Sequence, residues 1–69
     1  MDIIEKEFEN RRNEIRKEVE VLFKTNMKIT DWDIPEADDE KGAKLLIAII
    51  KEEVAKIEHD IANGKYKNY

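Results

Sequence analysis

Apolar side chains recur along the first third of the chain at Ile4, Phe8, Ile15, Val19 and Leu22, in steps of four, seven, four and three. Those steps return to one face of an α-helix and do not follow the alternation of a strand. Between them stand mostly Glu, Lys and Arg, all good helix formers. One long helix is therefore expected over about residues 2–28, with Ile3, Phe23 and Met27 widening its stripe at the ends. Glu14–Lys17 and Glu20–Lys24 stand at ion-pair spacing on its polar side. Arg11 interrupts the stripe between Phe8 and Ile15.

The pattern breaks at residues 29–38, which hold the single proline. Asp33-Ile34-Pro35-Glu36 has the form of a capping box, with an acid at the cap, Pro35 in the first turn and Glu three residues on. A second helix starts there or restarts near Asp38 or Asp39, where successive acids suit a helix N-terminus. It is expected over about residues 39–62 and stops at Asn63-Gly64, because glycine adopts the left-handed conformation at little cost. The last residues, 65–69, read as a flexible basic and aromatic tail.

Two long helices and a connector of about ten residues give an all-α fold, an antiparallel helical hairpin, with residues 1–64 as its one domain. Residues 45–50 are apolar in too many directions for a single partner helix. Leu46, Ile50, Val54, Ile57 and Ile61 make one seam, Leu45 and Ile49 lie on a neighbouring face, and Ile47 flanks the seam on its other side. A helix apolar over most of its circumference is normally buried over most of it. A hairpin of this size also builds too small a core to stand alone. The expectation is a homodimer forming a four-helix bundle, self-associating through Leu45, Leu46, Ile49, Ile50, Val54 and Ile57.

With no Cys and no Ser in 69 residues, disulfides, thiolate zinc sites and the commonest acyl-transfer nucleophiles are excluded. No apolar run has the roughly 18 residues of a membrane span, and the charged start Met1-Asp2-Ile3-Ile4-Glu5-Lys6-Glu7 lacks a signal-peptide core. A cytoplasmic protein is expected. The net charge of −4 is concentrated in the middle: residues 29–42 carry six acids against Lys41, whereas residues 1–28 balance seven acids with seven bases. That distribution is unlike the basic stripe of a general polyanion binder.

The same charges offer few sites for chemistry. His59 is the only histidine, and its helical neighbours Ala55, Lys56, Ala62 and Asn63 make no metal pair. Glu14, Glu18, Glu52, Glu53, Glu58 and Asp60 lack the spacing of the paired acids by which all-α nucleotide pyrophosphatases hold magnesium. They read as solvated helix faces, and neither metal nor cofactor is expected. Lys65, Tyr66, Lys67 and Tyr69 interleave bases with aromatics, but the stretch is too short to carry a nucleic-acid site.

Three features bear on binding. Trp32 stands among Asp31, Asp33, Glu36, Asp38 and Asp39. It is expected to plug the end of the bundle with Ile29 and Ile34; the alternative is an anchor for a protein partner, a role in which tryptophan is enriched. Arg11 is expected to snorkel or to pair across a dimer seam. Alternatively Arg11, Arg12, Arg16 and Lys17 form a basic patch for RNA or an acidic protein.

The function expected is a small acidic, non-enzymatic regulator or inhibitor that binds a host protein. Its size and its Lys-, Glu-, Ile- and Asn-rich composition suit a phage or mobile element. The architecture is also similar in shape to the Rop-type plasmid copy-number regulators, helical hairpins that dimerise and grip paired RNA loops. That resemblance implies a homodimer contacting RNA through the arginine patch, and it rests on shape without a motif. A purely structural or assembly role is the remaining alternative.

Overall fold

Asp2 starts the first helix: its carboxylate accepts the Glu5 backbone N–H at 2.8 Å, satisfying one of the donors a helix N-terminus leaves open. The computed structural model describes residues 2–69, which form two helices, α1 over Ile3–Asp33 and α2 over Asp39–Ala62. No helix among the described residues is long and apolar enough to cross a membrane.

The first helix runs five residues past the expected end at residue 28. Nothing between Ile29 and Asp33 breaks it, and Thr30 satisfies its hydroxyl within the helix by donating to the Asn26 carbonyl at 3.1 Å. Pro35 ends it by pushing the residue before it out of the helical region: Ile34 takes φ −132° and ψ 83°. The connector is thus Ile34–Asp38 and not residues 29–38. It reverses through a turn closed by the Ala37 N–H on the Ile34 carbonyl at 2.9 Å, with Pro35 at the second position, where its fixed φ is favourable. Asp33 therefore belongs to α1 and caps nothing downstream. The cap of α2 is Asp38, whose carboxylate accepts the Lys41 N–H at 3.1 Å.

The second helix ends where expected. Gly64 takes φ 80°, its N–H donates to the Ile61 carbonyl, and the Lys65 N–H reaches back to the Asp60 carbonyl, both at 3.0 Å. This is a complete Schellman closure. Residues 65–69 continue as turns, with Lys67 N–H on the Gly64 carbonyl at 3.1 Å and the Tyr66 and Tyr69 rings edge to face at 5.4 Å.

The two helices pack against each other as a hairpin, mainly beside the connector. Phe23, Asn26, Met27 and Thr30 on α1 are half-buried, as are Gly42, Ala43, Leu46 and Ile50 on α2. None of the described residues is fully buried. The expected seam of α2 is realised only in its first half. Beyond Ile50, the side chains of Val54, Ile57 and Ile61 stay exposed, as do Ile4 and Phe8 on α1. The chain spans 49 × 27 × 17 Å with a radius of gyration of 16.1 Å. A compact domain of this length has about 11 Å.

Trp32 does not plug the end of the hairpin; it is 86% exposed, and Ile29 and Ile34 are exposed with it. The extension of α1 explains this. At about 100° per residue, Trp32 lies about 180° around α1 from Phe23, on the side facing away from α2.

Candidate functional site

Three surfaces deserve comparison, beginning with the acidic hinge. Its carboxylates have separate jobs. Asp38 is spent on the N-cap of α2, and Asp33 is the last residue of α1. Asp31, in the last turn of α1, meets Asp39, in the first turn of α2. A hydrogen bond shared between these two carboxyls holds the Asp31 pKa above its ordinary value of 3.8; desolvation and the charge of Asp39 add to the rise. The position of Asp31 at the end of a helix acts in the same direction. Negative charge is disfavoured at the C-terminus of α1, which has no basic residue in its last turn, and favoured at the N-terminus of α2. Glu36 stands exposed in the turn, and Trp32, in the last turn of α1, is exposed as well.

The second surface is the arginine cluster, which α1 disperses. A straight helix spreads Arg11, Arg12, Arg16 and Lys17 over about 240° of its circumference. Only Arg12 and Arg16 share a depression, and they share it with Phe8, Ile15, Glu5 and Glu9. Arg12 is paired to Glu9 at 2.6 Å, and Arg11 to Glu14 at 3.7 Å along its own helix. The expected Glu14–Lys17 pair is replaced by this Arg11–Glu14 pair, whereas Glu20–Lys24 forms at 3.7 Å.

A third surface was only partly legible in the sequence. Val19, Phe23, Ala43, Ile47 and Ile50 line a groove of about 500 Å³ along one side of the hairpin. Its rims carry two ion pairs along the helices, Glu20–Lys24 and, at 3.3 Å, Glu40–Lys44. The signal for it was Ile47, the residue of the 45–50 run that falls on its own flank of the α2 seam. The opposite side of the hairpin is a broader apolar face. Phe8, Ile15 and Leu22 lie on one flank of the α1 contact line, and Leu45 and Ile49 lie on the same-side flank of α2. Leu45 is 58% and Ile49 61% exposed.

Among the described residues, no three His, Asp or Glu side chains converge as a metal site. The His59 ring is engaged with the Asn63 amide at 2.9 Å, one turn on. In the tail, Lys65 bridges to Asp60 at 3.4 Å and stands 5.8 Å from the centre of the Tyr66 ring. Compared with known proteins, the chain matches no family model, no curated protein and no solved structure.

Proposed function

We propose that this chain is a non-enzymatic protein-binding module, a small acidic regulator or inhibitor whose target docks on the hinge end at Trp32. The observation that supports it is the exposure of Trp32, flanked in sequence by Asp31 and Asp33 at the acidic end of α1. An indole left in water at this level adds little to the folded chain and a large gain to a complex that covers it. The surrounding carboxylates select a basic partner and speed its approach, an effect that salt weakens.

The test compares proteins captured by the immobilised wild type and by Trp32→Ala. Because Trp32 touches no core, the variant keeps its helix content. A protein retained by the wild type, lost with Trp32→Ala and released by moderate salt supports the reading. Identical capture by both overturns it.

The Rop-like RNA-binding reading and the assembly reading have less support. Arg11 and Arg12 are already paired with glutamates, and the four bases do not share one face. Reversing Arg12 and Arg16 to Glu tests the RNA reading directly: RNA affinity and its salt slope must both fall if it holds.

A further inference from the structure

The hairpin exposes more surface than a folded chain of its mass should. Its accessible area is 6575 Å². A globular monomer of 8.2 kDa exposes about 4,500 Å². The excess, about 2,000 Å² per chain, doubles to about 4,000 Å² in a pair, which lies within the range of obligate homodimers. A globular target docking by a standard interface covers only about 800 Å² of each partner and leaves most of the excess in water.

We propose that a second copy of this chain covers the broad apolar face of Phe8, Ile15, Leu22, Leu45 and Ile49, with the two hairpins antiparallel. The length of the face argues for this occupant. Exposed apolar positions run from Ile4 to Leu22 on α1 and from Leu45 to Ile61 on α2. A partner must therefore be as long as the hairpin and carry apolar stripes of its own. A second hairpin does both, and an isologous contact buries the same excess on each copy at once.

Position and charge set the orientation. Leu22 and Ile49 stand at nearly one level, about 16 Å and about 15 Å from the hinge ends of their helices. A two-fold axis perpendicular to the helices at that level lays these side chains against their counterparts. A parallel pairing would set two hinge segments side by side, each with six acids against one lysine over residues 29–42. Antiparallel pairing separates the two hinges to opposite ends of the pair and removes that repulsion. The opposite groove, with its ion-paired rims, stays in solvent.

This inference does not rest on the target-binding reading, because Trp32 is not among the residues of the proposed face. Three measurements test it. Light scattering behind size exclusion should give a constant dimer mass, and the melting temperature should rise with protein concentration. Ile49→Arg replaces an exposed side chain, so the hairpin itself gains no clash, yet it places two desolvated charges near the axis. Its dimer dissociation constant should rise about a hundredfold or more, while Trp32→Ala leaves the mass unchanged. A spin label at Glu36→Cys, in a chain with no other cysteine, reads the orientation. The two labels should stand about 36 Å or more apart, the length of α2, and not within the roughly 20 Å of two neighbouring helices. A monomer whose melting is independent of concentration, a mass that keeps growing, an Ile49→Arg dimer as tight as the wild type, or closely spaced labels overturns the proposal.

Discussion

The carboxyl of Asp31 faces that of Asp39 across the hinge, and the hydrogen bond they share keeps Asp31 above its ordinary pKa of 3.8. Two acids placed this way bind a proton more tightly in the hairpin than in the unfolded chain. The contact therefore joins the last turn of α1 to the first turn of α2 only while one carboxyl is protonated.

The sign of the pH dependence follows. A folded pKa above the unfolded one contributes stability that is fully present below pH 3.8 and is lost as pH rises through the folded value. Once Asp31 is ionised, the charge of Asp39 repels it. Asp31→Asn should thus raise the melting temperature at pH 7 and flatten its dependence on pH between about 3.8 and neutrality. Thermal melts of both proteins at matched concentration across that interval check this. A variant that melts lower at pH 7, with an unchanged pH profile, would show that the pair does not couple the helices.

Trp32 makes a spectroscopic prediction. Its indole should be open to quenchers in the free protein, and its acidic surroundings at Asp31, Asp33 and Glu36 should make caesium a better quencher than iodide. Replacing it with Ala should change stability by no more than about 0.5 kcal/mol, as for other surface positions. A shielded, blue-shifted emission, or a variant that unfolds, would place the ring in a core.

The limits of sequence reading show at the same residue. Helical spacing locates both helices, and the stop of α2 at Asn63-Gly64 rests on a local rule, whereas its start stays open between Asp33 and Asp39 because both offer an acidic cap. The end of α1 at Asp33 is five residues beyond the point where the pattern breaks, because acids and β-branched residues look like a loop while still tolerating a helix. That shift matters for Trp32. In a connector it would be free to fold over the end of the hairpin; as the penultimate residue of α1 it is held on the outer face. The dispersal of Arg11, Arg12, Arg16 and Lys17 was legible from helical angles. Their pairing with Glu9 and Glu14 depends on rotamers that spacing does not choose.

Gly64 is needed for its backbone. It sits at φ 80° as the left-handed closure of α2, and a Cβ there would meet no atom within 4 Å. Gly64→Ala should therefore cost about 1 kcal/mol through backbone strain alone. Gly64→Asn should cost less, since asparagine enters that region more readily. Melting curves of the two variants at equal concentration give the order, and equal stabilities would mean that the closure frays in solution.

Gly42 calls for the opposite substitution. It lies in the second turn of α2 with ordinary helical geometry, and glycine there is about 1 kcal/mol poorer than alanine. A Cβ at this position would meet only the Met27 terminal methyl at 3.9 Å, an ordinary van der Waals contact on the line where α1 and α2 touch. Gly42→Ala should thus stabilise the hairpin by about 0.5–1 kcal/mol, from the reduced entropy of the unfolded chain and the added contact. Denaturant unfolding at fixed protein concentration measures it. A loss of stability would mean that the helices approach more closely at Gly42 than 3.9 Å allows, and that the glycine is kept for packing.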